Sequence, residues 1–394
     1  MYMILWMEKL RYCGEKTMKK SVSEKNKKAL AVIGASYLQL PLIEKAKSMG
    51  YTTHVFAWAA QDVGEAAADF FYPISITKVD EITEKCREIG ICGICSIATD
   101  LGNYTVNYVA DKLGLPGNSM ECTLKSTNKH LMRKAFEEGR DPSPRSILAD
   151  EDMDVNSVSL SYPVIVKPTD RSGSRGIYKI DCPEDLDKAI KKAREESFEK
   201  KVLVEEFAEG QEYSVEGISY NGQHHILAMT LKYTTGAPHF IETGHLEPAP
   251  VDEETYKRVV TTVTHALDSL GIRNSASHTE IKIDKQGRIR IIEIGSRMGG
   301  DCIGSDLVYL STGIDYLRAV IQVACGEEPD LSSNGDKCSV KVQFILTDED
   351  YKEFCRIKDQ EPERLIRIAD DKHMDYIGKT KDSSNRAGCY IIKM

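Results

Sequence analysis

The chain has 394 residues, which is too long for one ordinary hydrophobic core and predicts two or three domains or subdomains. Its formal charge is −9, from 61 acidic and 52 basic side chains. This charge gives no overall attraction for nucleic acid or for an anionic membrane, so the expected partners are small molecules.

Residues 1–28 are predicted to form a flexible N-terminal extension. The opening MYMILWM lacks a basic segment before it and a small-residue cleavage site after it, which argues against a signal peptide and a membrane span. The lysine-rich stretch that follows is typical of a mobile segment, and Met18 is an alternative start.

Residues 29–118 alternate between strand and helix. The apolar run ALAVIG leads through a glycine into a helix, and three more strands (THVFAW, FYPIS and ICGICSIA) alternate with two more helices. This order predicts a Rossmann-like, doubly wound parallel sheet. A dinucleotide site is disfavoured, because GASYLQ has one glycine where the fingerprint requires three.

The eleven cysteines are an odd number without regular spacing. That usage is typical of reduced thiols and predicts a cytoplasmic protein. The CxxC pair, Cys92 and Cys95, lies in an apolar run that reads as a strand. Residues three apart on a strand face opposite sides, so core packing is favoured over a metal or redox role.

The sharpest local motif comes next along the chain. The strand YPVIVK ends in Lys167, and Pro168 favours an extended backbone for that lysine. The loop TDRSGSRG then supplies Ser172, Gly173 and Ser174, whose backbone N–H groups can approach a phosphate closely. A lysine beside such a loop predicts a phosphate site, and a solvated loop with a surface lysine is the alternative.

Two carboxylates lie in the predicted hairpin HTEIKIDKQGRIRIIEIGSR. With DKQG as the turn, Glu280 faces Ile291, and Glu293 lies diagonally from Glu280 on the same face. A carboxylate inside an apolar strand is costly unless a cation compensates it, and Mg²⁺ is commonly held by one or two carboxylates plus phosphates. The pair therefore predicts a divalent metal site; strand acids matched by Lys282 and Arg290 are the alternative.

Further polar residues lie in two loops. GSRMGGDCIG places Arg297 where a planar guanidinium suits a carboxylate or a transferring phosphoryl group. The segment APHFIETGHLEPAP carries His239 and His245, and loop histidines are more often solvated than functional. From about residue 331 the sequence predicts two or three strands and a short helix.

The order of these motifs resembles the ATP-grasp superfamily and, within it, the ligases that join a carboxylate to an amine, including L-amino-acid (dipeptide) ligases. Seven stretches over nearly all of residues 29–394 carry the resemblance. They are STNKHLMRKAFEEGRDPSP, YPVIVKPTDRSGSRGI, VLVEEFAEGQEYSVEG, HFIETGHLEPAP, HTEIKID, IIEIGSRMGGD and NRAGCYIIKM.

The resemblance implies an α/β protein with the ATP-grasp fold. Its parts would be an N-terminal doubly wound parallel-sheet (pre-ATP-grasp) domain at 29–118 and an ATP-grasp domain at 119–330. The latter would contain a small α+β lid at about 145–205. A C-terminal α+β subdomain at 331–394 would complete the grasp domain.

The resemblance also implies a nucleotide site. Lys129 and Lys167 match the lysines that reach the ATP phosphates, and Lys232 is a weaker phosphate candidate. Glu205 resembles the acid near the adenine amino group, and Glu212 the acid that holds the ribose hydroxyls. The hinge between them would be formed by the backbone of Glu206, Phe207 and Ala208.

The implied catalytic residues are Lys167, Arg297 and His245. Arg297 would steady an acyl-phosphate, and His245 would lie beside phosphate and substrate. Glu280 and Glu293 match the magnesium carboxylates. The family usually has Asn two residues after the second Glu, where this chain has Gly295. The implied cofactors are thus ATP and one or two Mg²⁺ ions, with Mn²⁺ as an alternative.

The implied reaction joins a carboxylate, expected to belong to an amino acid, to an amine through an acyl-phosphate, with release of ADP and phosphate. Two alternatives stay open: a grasp enzyme of carbamoyl-phosphate or purine-biosynthesis type, and a non-catalytic ATP-binding regulatory protein. The sequence identifies neither substrate. Homodimers are common among relatives, but the sequence leaves the oligomeric state open.

Overall fold

The computed structural model describes residues 28–150, 159–173, 175–371 and 373–394. Ser174, Met18 and all of the predicted N-terminal extension except Lys28 lie outside these residues. The strands of the described residues are β1 (Ala29–Ile33), β2 (Thr52–Phe56), β3 (Phe70–Tyr72), β4 (Gly93–Cys95), β5 (Ser146–Ala149), β6 (Val164–Pro168), β7 (Tyr178–Ile180), β8 (Val202–Glu206), β9 (Gln211–Tyr220), β10 (Gln223–Thr234), β11 (Glu242–Glu247), β12 (Ser275–Ile283), β13 (Ile289–Gly295), β14 (Val340–Ile345), β15 (Leu365–Asp370) and β16 (Gly388–Lys393).

The α-helices of the same residues lie mostly between the early strands and beside the later ones. They are α1 (Leu40–Ser48), α2 (Val63–Ala67), α3 (Val79–Ile89), α4 (Asp100–Leu113), α5 (Met120–Lys125), α6 (Lys129–Gly139), α7 (Leu186–Glu196), α8 (Glu253–Leu270), α9 (Val308–Thr312), α10 (Tyr316–Ala324) and α11 (Asp348–Gln360). Among them, none combines the length and the apolar composition that crossing a bilayer requires.

The first sheet is parallel, with strand order β3-β2-β1-β4. Alternate residues of β1 enter different cores: Leu30 and Val32 pack with α1 and α10, whereas Ala31 and Ile33 pack with α3 and α4. A strand that is buried on both faces is the arrangement that its continuous apolar sequence predicts. This part of the chain is therefore the predicted doubly wound parallel sheet.

The CxxC pair lies at the edge of this sheet. Cys95 is buried in the core, as predicted, and Cys92 Sγ lies 3.8 Å from Cys325 Sγ. Within the described ranges, no three His, Cys, Asp or Glu side chains are grouped so that they could hold a metal ion.

The second sheet is small and antiparallel, with order β5-β8-β6-β7. Its core contains Val164 and Val166 of β6 and the apolar side of α7, including Leu186 and Ile190. The sheet covers the region of the predicted lid, and β6 brings Lys167 to its end.

The third sheet has eight antiparallel strands in the order β13-β12-β9-β10-β11-β14-β16-β15. One face packs on α6 and α8, whose buried residues include Phe136 and Val263. The three C-terminal strands join this same sheet, beside β11. The domain boundaries at residues 118 and 330 stay predictions, since strand pairing does not define independent folding units.

Candidate nucleotide and ligase site

The two predicted metal carboxylates lie directly opposite each other on β12 and β13. Glu280 pairs with Glu293, and the next pair is Ile281 with Ile291, so Ile292 is the extra residue of a β-bulge. The prediction that Glu280 faces Ile291 is therefore wrong, because it assumed an uninterrupted register. The bulge moves Glu293 from a diagonal position to one beside Glu280.

Buried lysines contact both carboxylates. Lys232 Nζ forms a short ion pair with Glu280 and lies 3.1 Å from Glu212 Oε1, while Lys129 Nζ donates to Glu293 Oε1 over 2.9 Å. Burial acts to lower the pKa of Lys232, but the adjacent carboxylates, Glu280 foremost, outweigh it and hold that pKa well above its usual value. Each of the two predicted metal carboxylates is thus compensated by a buried lysine.

A second buried ion-pair group holds Lys167. Its Nζ lies 2.5 Å from Glu205 Oε1, and Arg133 Nη2 lies 2.9 Å from Glu205 Oε2. Arg133 also donates to the carbonyl of Ile292 over 2.7 Å, so it links this group to the bulge. Burial lowers the pKa of Lys167, although Glu205 opposes this shift.

A cavity of about 110 Å³ lies between the second and third sheets. Its apolar lining includes Ile165 and Phe207, and Lys282 Nζ lies 4.8 Å from the centroid of the Phe207 ring. A cavity that combines apolar side chains with a few charged groups suits a nucleotide base. The lining contains the predicted nucleotide residues Lys167, Glu205, Phe207, Ala208 and Glu212 and the predicted metal carboxylate Glu280.

The side chain of Glu206 does not line this cavity. Its carboxylate accepts a hydrogen bond from the backbone N–H of Ser161 over 3.1 Å and lies 3.4 Å from Arg145 Nη1. The prediction for Glu206 concerned its backbone, which ends β8 at the edge of the smaller cavity. Lys129 lies beside Glu293 and also donates to the carbonyl of Arg171 over 2.7 Å.

A larger cavity of about 420 Å³ adjoins the first, and the two share Glu242 and Glu280 in their linings. Arg297 enters this cavity with its Nε 2.8 Å from Asp100 Oδ1, which comes from the start of α4. Predicted residues that line it are Ser172, Gly173, Lys232, His245, Glu280 and Arg297.

His245 lies in β11 and is 1% exposed, so the expectation of a solvated loop histidine is wrong for it. Burial lowers its pKa, which favours the neutral ring, and its Nε2 lies 3.5 Å from Asp301 Oδ2. Asp301 in turn binds Arg386 through both oxygens, at 3.0 and 2.5 Å. The guanidinium of Arg386 lies 3.6 Å from the Phe344 ring centroid. His239, by contrast, is exposed.

A buried pair beside the metal carboxylates was not predicted. Glu216 on β9 is opposite His278 on β12, and a short hydrogen bond joins Glu216 Oε1 to His278 Nδ1. Burial acts to lower the pKa of His278, but Glu216 outweighs it and raises that pKa to about 9. The backbone N–H of Gly299 donates to the other Glu216 oxygen over 3.0 Å.

Sequence reasoning missed five residues that the structure brings into or beside the site: Asp100, Arg133, Glu216, His278 and Arg386. Two of them had an available signal, since Arg133 is one helical turn after Lys129 and His278 is two strand residues before Glu280. The others contact the site through pairings between distant parts of the chain.

Residues 160–305 match the model of the ATP-grasp domain. This segment is an ATP-grasp domain. This match agrees with the ATP-grasp fold that the motif order predicted, and it covers β6, β7 and β8 of the second sheet, the bulged hairpin and the Arg297 loop. The metal, phosphate and hinge roles of individual residues stay predictions.

Similar proteins include an alanine–anticapsin ligase and an L-amino acid ligase. Alanine–anticapsin ligase of Bacillus subtilis (strain 168) is 28% identical over 307 residues, which are 69% of this chain and 64% of that protein. The L-amino acid ligase structure from Bacillus licheniformis matches with a TM-score of 0.75 at 22% identity and covers 94% of each chain.

N5-carboxyaminoimidazole synthetase from Staphylococcus aureus, solved in complex with ADP, matches with a TM-score of 0.76 at 16% identity over 94% of each chain. At such identities the two structural matches establish the fold alone. The chain spans 64% of the length of the alanine–anticapsin ligases that it matches.

Proposed function

We propose that the protein is an ATP-dependent carboxylate–amine ligase that forms an amide or peptide bond. The observation that carries this proposal is the meeting of two cavities at Glu280: a smaller one beside Ile165 and Phe207, which would take the nucleotide base, and a larger one, which would take small substrates. Buried lysines lie at the junction, where a triphosphate would place its charge. The likeness to alanine–anticapsin ligase supports this reaction class.

The reaction would have two steps. A carboxylate oxygen attacks the γ-phosphorus of ATP, the bond from that phosphorus to the bridging oxygen breaks, and ADP leaves with the electron pair. The amine nitrogen then attacks the acyl carbon, phosphate leaves with the electrons of the C–O bond, and the amine gives up a proton. Both steps need charge neutralisation and alignment more than covalent help from the protein.

The described residues fit these needs. Lys129, Lys167 and Lys232 neutralise phosphate charge, and Arg297 stabilises the acyl-phosphate from the side of the larger cavity. The loop after β6, with Ser172 and Gly173, lines the larger cavity and would exclude water from the reactive intermediate. His245, neutral and buried, faces the substrate cavity.

The metal is part of the proposal. Glu280 and Glu293 fit a divalent ion, since they supply partly buried carboxylate oxygens from directly opposite positions of adjacent strands. A bound Mg²⁺ would neutralise the β- and γ-phosphates. Release of these carboxylates from Lys232 and Lys129 would accompany metal binding.

The side chains that line the larger cavity favour a particular class of substrate. Its walls combine Arg297 and Arg386 with Glu242 and Asp301, which suits molecules that carry both a carboxylate and an amine. We therefore propose amino acids as the first substrates to examine, and a homodimer as the assembly to measure by light scattering.

The test is ADP and phosphate release from MgATP across a matrix of single amino acids and pairs, with mass detection of the products. We expect release that requires two partners and gives an amide. ADP formation with bicarbonate and ammonia instead would favour the carbamoyl-phosphate type. Tight ATP binding without turnover by any pair would contradict the ligase proposal and favour a regulatory protein.

A further inference from the structure

Two thiols meet where the first sheet contacts α10. Cys92 lies directly before β4, and Cys325 directly follows α10. Their sulfur atoms are 3.8 Å apart, although the two residues are 233 positions apart in the chain. Both residues are partly exposed, whereas Cys95, the other cysteine of the CxxC motif, is buried. The accessible thiol pair at this edge of the sheet is therefore Cys92 with Cys325.

We propose that Cys92 and Cys325 are a reversible oxidation site, at which a low-molecular-weight disulfide such as oxidised glutathione converts the two thiols to a disulfide. This inference does not depend on the proposed ligase activity. It gives Cys92 a redox role through a partner outside the CxxC motif.

The reaction is thiol–disulfide exchange in two steps. The Cys92 thiolate attacks one sulfur of the oxidant, the S–S bond of the oxidant breaks, and one half leaves as a thiolate. Cys325 then loses its proton, and its sulfur attacks Cys92 in the mixed disulfide and releases the other half. Two protein thiols are oxidised, one small disulfide is reduced to two thiols, and the two protons pass through solvent to those thiols.

The close approach of the two chain segments depends on Gly93. A Cβ at residue 93 would lie 2.6 Å from the carbonyl oxygen of Ala324 and 2.8 Å from Cys325 Sγ. Atoms at those separations overlap, so glycine is what lets the end of α10 lie against the start of β4. The sulfurs must approach by about 1.8 Å more to reach the disulfide bond length of about 2.0 Å. Rotation about the Cα–Cβ bonds of the two cysteines moves the sulfurs over that distance.

The surroundings favour Cys92 as the attacking thiol. A hydrogen bond from Cys325, helped by the charge of Lys28, lowers the pKa of Cys92 to about 7 against the burial that raises it. The thiolate is the reactive form, so a large fraction of Cys92 is reactive near neutral pH. The same contact and burial raise the pKa of Cys325. Once Cys92 is in the mixed disulfide it carries no charge, and Cys325 then ionises more easily.

The disulfide would join parts of the chain that meet at α10. At the start of this helix, Asp315 pairs with Lys45 of α1 over 2.8 Å. Tyr316 Oη donates to the carbonyl of Gly217 in the third sheet over 2.6 Å. A cross-link restricts the unfolded chain, and more so when the loop that it closes is long. We therefore expect oxidation to stabilise the folded protein.

The first measurement needs no substitution. The full-length wild type is equilibrated with oxidised and reduced glutathione at a series of ratios, its free thiols are then alkylated, and its peptides are mapped by mass spectrometry without reduction. We expect a linked Cys92–Cys325 peptide pair that increases with the oxidised fraction and disappears with dithiothreitol. In urea, the oxidised protein should unfold at a midpoint roughly 0.5 to 1 M above that of the reduced protein.

Substitutions separate the two steps. Cys325→Ser should stop at the mixed disulfide, with one glutathione retained on Cys92, and its urea midpoint should not rise on oxidation. Cys92→Ser should retain much less glutathione on Cys325. Cys182→Ser is the matched control, since Cys182 is exposed and away from this junction, and it should keep both the linked pair and the rise in midpoint.

Two results would overturn the proposal. One is oxidised wild type without a linked Cys92–Cys325 pair at the most oxidising ratio, and the other is a link between Cys92 and Cys95 in its place. A linked pair with an unchanged urea midpoint would overturn the stabilising effect.

Discussion

Two buried carboxylates of this protein, Glu205 and Glu247, have partners of different kinds. Glu205 is held by Lys167 and Arg133, and the three are almost completely buried. Among the described residues, the hydrogen-bond partners of Glu247 are hydroxyls, since Ser311 Oγ and Thr230 Oγ1 donate to it over 2.6 and 2.5 Å. An ion pair favours the charged carboxylate, whereas burial beside hydroxyls favours the neutral acid. The two sites therefore respond differently to substitution and to pH.

We expect Glu205→Gln to destabilise the protein strongly. The amide keeps the shape of the side chain but leaves Lys167 and Arg133 buried without a counter-charge, at a cost of about 3–5 kcal/mol. The measurement is urea unfolding followed by circular dichroism.

The neighbouring residue supplies the control. Glu206 is partly exposed and pairs with Arg145, which is mostly exposed, so Glu206→Gln should change the unfolding free energy by less than about 1 kcal/mol. Equal losses in the two variants would show that the buried group is not the source of the effect.

Glu247→Gln should change how stability depends on pH. Burial raises the pKa of Glu247 to about 8, against the hydroxyls that lower it. Because the folded pKa lies above the ordinary value of 4.5, its contribution is complete below about pH 4.5 and is lost as pH rises to about 8 and beyond.

The free energy of unfolding of the wild type should therefore fall between pH 5.5 and 8.5, by on the order of a few kcal/mol from this group. Glu247→Gln should remove that part of the fall, whereas Glu254→Gln, at an exposed position of α8, should not. Parallel pH profiles for the wild type and Glu247→Gln, measured by urea unfolding, would contradict the assignment.

At the scale of elements, the start of α6 positions one of the lysines. Asn128 caps this helix, because its side chain accepts hydrogen bonds from the backbone N–H groups of His130 and Leu131. Lys129 is the first helical residue and contacts Glu293. The direction of the lysine thus depends on how the helix begins.

Asn128→Ala should lower the free energy of unfolding by about 1 kcal/mol and weaken ADP binding. Asn128→Asp keeps an acceptor at the cap and should preserve most of the stability. Urea unfolding and calorimetry with ADP measure the two effects. Full ADP affinity in a destabilised Asn128→Ala variant would show that the position of Lys129 does not depend on the cap of the helix.

The elements with strong periodicity were predictable from sequence. The apolar stripe of α8, from Val259 to Leu270, is the buried side of the observed helix. The bulge at Ile292 was not predictable, because register depends on the pairing partner and one added residue leaves the local apolar pattern looking normal. His245 was placed in a loop for a similar reason: β11 is polar, and it becomes a strand by pairing with β10 and β14.

At the scale of the whole molecule, the larger cavity is lined by residues that lie within or directly after strands of all three described sheets. Asp100 follows the first sheet, Gly173 follows β6 of the second, and His245 belongs to the third. Arg386 precedes the last strand, which makes the C-terminal segment part of the cavity wall. Asp100 and Arg297 are 197 residues apart in the chain, and no local pattern predicts that they meet.

The contact between Asp100 and Arg297 gives a prediction about how the first sheet serves the site. Asp100→Asn keeps the size of the side chain but weakens its hold on Arg297, whose guanidinium must be aligned for the proposed acyl-phosphate step. A displacement of about 1 Å is enough to lower a rate by about 100-fold. Asp100 does not line the smaller cavity, so nucleotide binding should be nearly unchanged.

We therefore expect Asp100→Asn to lower the rate of amide formation by about 10- to 100-fold and to change ADP affinity by less than about two-fold. Product formation by mass detection and calorimetry with ADP measure the two quantities on the same preparation. Asp111→Asn, at an exposed position of the same helix, is the matched control and should change neither. A parallel loss of rate and of ADP affinity in Asp100→Asn would mean that the contact maintains the whole site, whereas an unchanged rate would mean that Arg297 is aligned without help from the first sheet.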